Sequence, residues 1–242
     1  MVITSTSNER IKNIAKLQIK KYRDEERKFL VEGDHLVNEA YESGYLEEVF
    51  ILDGANYSFD NVNVNYVSEE VLKKLSDQIS STDIIGVCKF IDIKELNNNL
   101  ILLDKIQDPG NLGTIIRSAA AFNYDVVIGD NSVDIYNSKT IRSTEGMIFH
   151  VNFIKTNLIN FINNNRNYKY LIADMNNGTN VKKLNITGKH ALIMGNEGNG
   201  VSDDIRNLGL DYVYINQNNK CESLNVGVAS SILMHELGDV DE

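Results

Sequence analysis

The stretch LILLDKIQDPGNLGTIIRSAAAF (100–122) opens as a short apolar run, breaks at a polar turn and continues with helical spacing. Residues 100–106 have the length and composition of a strand, Pro109 and Gly110 turn the chain, and Asn111 is placed to cap the next helix. Leu112, Ile115, Ile116, Ala119 and Phe122 then form one broad apolar face, while Arg117 lies on a side shared with Gly113, Ala120 and Ala121. Small neighbours leave space around that guanidinium.

The same strand, loop and helix alternation repeats downstream. Runs at DVVIG (125–129), YLIAD (170–174), HALIM (190–194) and YVYI (212–215) alternate with helical segments near 112–122, 157–165, 202–208 and 225–237. This order predicts an α/β fold, a parallel sheet covered on both faces. In such sheets ligands bind where loops leave the carboxyl ends of strands. Three loops there are chemically unusual: DPGNLG (108–113), GNEGNG (195–200) and NQNNKCESLN (216–225).

Upstream, residues 8–28 read as one amphipathic helix, with Ile11, Ile14, Ala15, Leu17 and Tyr22 on one side and Lys12, Lys16 and Lys20 on another. An extended piece FLVEG (29–33), a helix over 34–43, the strand EEVFIL (47–52) and a helix SEEVLKKLSD (68–77), capped by Ser68, complete a small α/β unit. The asparagine-rich IDIKELNNN (91–99) suits a linker. The boundary is therefore placed between domains of 1–92 and 93–242.

Composition excludes several classes. With 42% hydrophobic and 24% charged residues the chain is ordinary for a folded protein, and no apolar run approaches the ~20 residues of a membrane span. The first residues lack the pattern of a secretory signal, so a cytoplasmic protein is expected. Cys88 and Cys221 lie far apart without a CxxC pair, which suggests neither a disulfide framework nor a metal site. A net charge of −10 argues against holding nucleic acid by bulk electrostatics, so any such contact must be local. Residues 10–28 offer a locality, with eight Lys or Arg against three Asp or Glu, a net of +5. A solvated helix face would read the same way.

Each loop has two readings. Arg117 can clamp a phosphate or carboxylate in two places at once, or be a solvated helical arginine. Glu197 is a carboxylate in a glycine turn that admits a ligand close to the backbone, or a plain loop acid. The loop around it is neither GxGxxG nor a P-loop, so a dinucleotide oxidoreductase is disfavoured, as is the glycine-rich class of methyltransferase. Ser223 and Asn225 can bind a nucleoside or cap the last helix.

Taken together, LDKIQDPGNLGTIIRSAAAF (103–122), ALIMGNEGNGVS (191–202) and YINQNNKCESLNVGVASSI (214–232) resemble, in order, the three signature motifs of the SpoU (TrmH-like) RNA methyltransferases of the SPOUT class. KTIRSTEGMIF (139–149) is similar to the family's stretch between the first two motifs, with Arg142 and Gly146 in matching places. KFLVEGDHLVNEA (28–40) and STDIIGVCKF (81–90) resemble its accessory substrate-binding domain.

The resemblance implies a SPOUT catalytic domain with a deep C-terminal trefoil knot, a small N-terminal L30e-like α/β domain, and a homodimer. Gly227, Ala229, Ser230 and Ser231 would allow close helix packing at its interface. It implies transfer of a methyl group from S-adenosylmethionine (SAM) to a ribose 2'-hydroxyl in RNA, ribosomal rather than transfer RNA. Gly195, Ile215 and Leu224 would meet the cofactor through backbone groups, and Met194 would face the adenine. Arg117 would hold a phosphate and stabilise the developing alkoxide, Glu197 would orient Arg117, Asn111 would hold the loop or ribose, and Ser223 with Asn225 would position cofactor and nucleotide. Lys12, Lys16, Lys20 and Arg142 are the expected RNA contacts, and no metal is expected. Two departures stand out: Asn216 and Gln217 replace a Pro-Met pair, and Asn123 replaces a glycine at a position where a left-handed turn is expected. A non-catalytic RNA-binding protein on the same fold is the alternative.

Overall fold

The structure is a computed structural model that describes residues 2–77, 82–175, 177–218 and 220–238. Ser81, at the head of the 81–90 stretch, and Asn219 of the third loop lie outside the described residues. Contacts divide the chain into two compact units, one of 1–92 with 134–149 and one of 93–133 with 150–242.

In the first unit, α1 (Glu9–Ala15), α2 (Lys20–Glu26), β1 (Lys28–Glu32), α3 (Asp34–Glu42), β2 (Leu46–Leu52), β3 (Asn63–Val67), α4 (Glu69–Leu75) and β4 (Ile84–Lys89) build a four-stranded sheet in the order β1-β4-β2-β3. Alternation along β1 sends Leu30 into a core with Ile11, Phe50, Val71 and Leu75. On the other side Phe29 meets the Tyr136 ring at 4.7 Å and the Phe149 ring at 6.2 Å. Those two aromatics explain why 134–149, which the sequence reading assigned to the second domain, packs with the first. The segment carries α6 (Ser138–Thr144), a helix that periodicity did not reveal.

The helix expected over 8–28 is broken. A 3-10 turn at Lys16–Gln18 ends α1, and Ile19 is extended at φ −102°, ψ 127°. Side chains bridge the break. Arg23 Nη1 donates to the oxygens of Leu17 (2.9 Å) and Gln18 (2.8 Å), and the Gln18 amide donates to the carbonyl of Leu75 (2.9 Å) at the end of α4. Ser68 occupies the N-cap position of α4, but its side chain makes no capping hydrogen bond.

In the second unit, β5 (Asn99–Leu103), α5 (Pro109–Ala121), β6 (Tyr124–Gly129), β7 (Phe153–Thr156), α7 (Leu158–Asn164), β8 (Lys169–Ala173), β9 (Thr179–Asn180), β10 (His190–Met194), α8 (Asp203–Arg206), β11 (Asp211–Tyr214) and α9 (Val226–Leu237) succeed one another in chain order. Seven strands lie in the order β7-β6-β5-β10-β8-β11-β9, every neighbouring pair parallel. The five strand runs and four helical segments read from sequence are present. The short β7 and β9 were not legible, because four and two residues carry too little pattern. One layer of the core joins Leu100, Leu102, Ile172, Ala191 and Ile193.

The first turn begins earlier than expected. Pro109 takes the first helical position, where its fixed φ and missing N–H cost nothing. Asp108, not Asn111, is then the N-cap, its Oδ1 accepting from the Asn111 N–H at 2.9 Å. Asn123 adopts the left-handed conformation at φ 57°. The small residues of α9 are partly spent within the chain: Ser231 bonds Ser118 of α5 at 2.6 Å, and a Cβ on Gly227 would sit 3.2 Å from Thr114. Val228 faces outward, 46% exposed.

Candidate active site

The carboxyl ends of β8, β10 and β11 surround a cavity of about 490 Å³, within the ~300–1,000 Å³ of ligand pockets. Met194 and Gly195 reach it from β10, Ile215 from β11 and Leu224 from the third loop. Glu197, Ser223 and Asn225 line it as well.

The second loop is a closed turn. Asn196 and Gly200 exchange backbone hydrogen bonds at 3.0 and 2.9 Å, and Asn196 Oδ1 accepts the N–H groups of Gly198 (3.0 Å) and Asn199 (3.1 Å). A Cβ on Gly195 would lie 2.1 Å from the Gly200 carbon. Gly195→Ala is therefore expected to open this turn and weaken cofactor binding by about tenfold or more, measurable by calorimetric titration.

Glu197 joins the second loop to the first. Its carboxylate accepts from the N–H groups of Gln107 (3.2 Å) and Asp108 (3.1 Å) and from Asn111 Nδ2 (3.0 Å). Burial pushes this carboxyl up, but the hydrogen bonds from Asn111, its own backbone, Asp108 and Gln107 outweigh it and hold it below its ordinary pKa. Asn225 brings in the third loop: its Nδ2 donates to Asn111 Oδ1 at 2.8 Å, while its Oδ1 caps α9 by accepting from Gly227 and Val228. Asn111 thus spends both ends of its amide inside the protein, and three loops distant in sequence are tied by one chain of side chains.

Arg117 stands apart from this chain. It is exposed on α5 and makes no hydrogen bond or ion pair among the described residues. The expected pairing of Glu197 with Arg117 is absent, because the carboxylate is already occupied by N–H donors of the first loop. Ser223 is exposed, and its hydroxyl has no hydrogen bond among the described residues. Sequence reading missed the charged edge of the cavity, where Arg206 donates through Nη1 to Asp174 (2.8 Å) and through Nε to the Val201 carbonyl (2.8 Å). Asp174 comes directly after the end of β8, so the carboxyl-end rule could have flagged it.

The remaining expected contacts lie in the first unit. Lys12 is exposed and unpaired among the described residues, Lys16 donates to Asn13 at 2.9 Å, and Lys20 pairs with Asp24. Arg10, Arg23 and Lys28 meet Glu48, Asp134 and Glu47 from outside the stretch, which cuts its local excess of charge. Arg142 is half-buried, with Nη1 lacking a hydrogen-bond partner.

Residues 98–235 match the model of the SpoU rRNA Methylase family, a span that contains all three loops. The chain belongs to the SpoU rRNA methylase family. The first unit of this SpoU chain matches the MRM3-like substrate binding domain over residues 8–86. A relative from Bacillus subtilis strain 168, the 23S rRNA (guanosine(2553)-2'-O)-methyltransferase RlmP, is 34% identical, with 97% of this chain and 98% of the relative covered. Among solved structures, an RNA 2'-O ribose methyltransferase superposes with a TM-score of 0.82 at 26% identity, covering 98% of this chain and 97% of that one. An AdoMet-bound rRNA methyltransferase from Sinorhizobium meliloti shares the fold with a TM-score of 0.85 at 24% identity, covering 98% and 96%.

The cavity of this SpoU methylase suits SAM. Met194, Ile215, Leu224 and Leu233 supply an apolar wall for a base, and Asn196, Gln217 and Ser223 supply polar groups around it. No group of residues suited to a metal ion occurs among those described. No helix of the described residues is long and apolar enough to cross a membrane.

Proposed function

We propose that this protein transfers a methyl group from SAM to a ribose 2'-hydroxyl of ribosomal RNA. The observation that carries the reading is the exposed, unpaired Arg117 on α5, the helix whose first turn is tied through Asn111 to the cavity-lining Glu197 and Asn225. Bound SAM supplies a methyl group activated by its sulfonium charge. Met194, Gly195, Ile215 and Leu224 would hold it, and Ser223, which lines the same cavity with a free hydroxyl, would help to position it. Arg117 holds a phosphate of the target nucleotide and stabilises the negative charge that develops on the 2'-oxygen. It does not take the proton, since a guanidinium stays protonated past a pH of ~12. A neighbouring phosphate oxygen of the RNA is the acceptor.

Glu197 acts on this chemistry indirectly, by fixing the first loop and hence the start of the helix that carries Arg117. The first unit serves as the substrate-binding domain, L30e-like in character, and the second, with its three loops, as the methyltransferase domain. The strand order supports a knotted path: β10 inserts between the earlier β5 and β8, and β11 returns to the far side of β8. A homodimer in the cytoplasm completes the reading, with the outward Val228 side of α9 available to the second copy.

Lys12, Lys16 and Lys20 contact RNA phosphates in this proposal. Changing all three to Gln is expected to weaken RNA binding about tenfold and to flatten its salt dependence, with SAM affinity unchanged. Because Lys20 is paired with Asp24, most of the loss should come from Lys12 and Lys16. Filter binding across a salt series measures both quantities, and an unaltered slope would remove these three lysines from the RNA interface.

The test of the activity is methyl transfer from labelled SAM to total RNA and ribosomal subunits from cells lacking the gene, with nucleoside analysis of the products. A 2'-O-methyl nucleoside is expected. Absence of both transfer and SAM binding would leave an RNA-binding protein that keeps the fold without the chemistry, whereas SAM binding without transfer would point to another substrate, such as an assembly intermediate.

A further inference from the structure

Lys105 sits in the left-handed region at φ 60°, a conformation that side chains other than Gly, Asn and Asp seldom adopt. Its surroundings hold it there. Asp104 N–H donates to the Met194 carbonyl (2.8 Å) and Asp104 Oδ2 accepts from the Ser202 N–H (2.7 Å). The carbonyl of Lys105 itself accepts from Asn196 Nδ2 at 3.0 Å. Ile106 N–H donates to Ser132 Oγ (3.2 Å), and the next two N–H groups are those held by Glu197. Every residue from 104 to 108 is thus pinned, four of them by the second loop or the end of β10.

The Lys105 side chain takes no part in this. It is exposed, and its ammonium has no hydrogen bond or ion pair among the described residues. Its neighbour Asp104 is buried and directed to the Ser202 N–H, and it forms no ion pair with the ammonium. A Gly or Asn would keep this backbone without strain. What lysine adds is a cation on a flexible tether, rooted by its carbonyl on Asn196, a residue that lines the cavity. In a chain of net charge −10, attraction for a polyanion has to come from such single, unneutralised positions. Unusual backbone conformations that are over-determined by their surroundings concentrate at functional sites.

We propose that Lys105 is a further substrate-binding residue, which contacts a backbone phosphate of the RNA next to the target nucleotide. The inference rests on the methyltransferase reading and adds to it a contact in the loop that precedes α5.

The test uses the full chain with Lys105→Gly, Lys105→Asn and Lys105→Arg. Gly and Asn remove the cation while suiting the left-handed backbone, so loss of folding is not expected; Arg restores the charge. With in vitro-transcribed 23S rRNA as probe, the Gly and Asn variants should raise KM for RNA by roughly 3- to 10-fold and reduce the salt slope of binding by about 0.7–0.9, the contribution of one phosphate. The kcat at saturating RNA and the SAM affinity should hold, and Lys105→Arg should behave as wild type. Wild-type KM and slope in the Gly and Asn variants would overturn the proposal, as would failure of Arg to restore them. If the wild-type protein transfers no methyl group at all, the activity reading fails separately, and the salt slope of RNA binding still decides the role of Lys105.

Discussion

Arg117→Ala is expected to lower kcat for methyl transfer by about 100- to 1,000-fold, the usual cost of removing a donor that stabilises charge developing in the transition state. Fold and SAM affinity should be unchanged. The side chain is exposed on α5, makes no hydrogen bond or ion pair among the described residues, and is not among the residues that line the cavity. Apolar positions Leu112, Ile115, Ile116 and Ala119, on the opposite side of the helix, carry its packing. Lys should rescue poorly, because a point charge cannot reproduce a planar, bidentate donor. Single-turnover kinetics with saturating SAM and RNA gives the chemical step directly, and full activity in Arg117→Ala would remove this residue from the mechanism.

Arg23→Ala should destabilise the first unit by about 3–5 kcal/mol, the range for breaking a buried ion pair by deleting one partner. Arg23 is 5% exposed and meets Asp134 Oδ2 at 2.6 Å while satisfying the carbonyls of Leu17 and Gln18. Its loss strands all three acceptors and also unpins the segment that brings Tyr136 and Phe149 into the aromatic cluster on Phe29. Replacing both partners by apolar residues, Arg23→Met with Asp134→Leu, should recover much of the stability, since desolvation then no longer opposes folding. Because the chain has no Trp, hydrogen exchange of the β1 and β4 amides is the cleaner readout, and it separates the first unit from the second. Protection like that of wild type in Arg23→Ala would show the pair to be inconsequential.

The two results probe different levels of organisation, and the sequence was unequally informative about them. The parallel sheet, the three loops and Arg117 on the exposed side of its helix were legible, because each rests on local pattern: a bounded apolar run, a Pro-Gly turn, a 3.6-residue period. The wording of the three loops also carried the family. Their chemistry as single loops stayed ambiguous, since a glycine-turn acid and a helix-capping asparagine look alike with or without a ligand.

Other features could only be decided by tertiary structure. Glu197 turned from Arg117 to the first loop because three N–H donors, 86 to 90 residues away in sequence, converge on its carboxylate. The expected helix over 8–28 broke because Arg23 and Gln18 found partners in other elements, outweighing a continuous amphipathic pattern. Residues 134–149 joined the first unit through two aromatic rings that no spacing rule connects to Phe29. Periodicity reports which face of an element is apolar, so the sequence by itself determined the elements, their order and the loops that bear the chemistry. Which polar groups pair across those loops depends on distances between residues far apart in the chain, and those exist only once the sheet has brought its strand ends together.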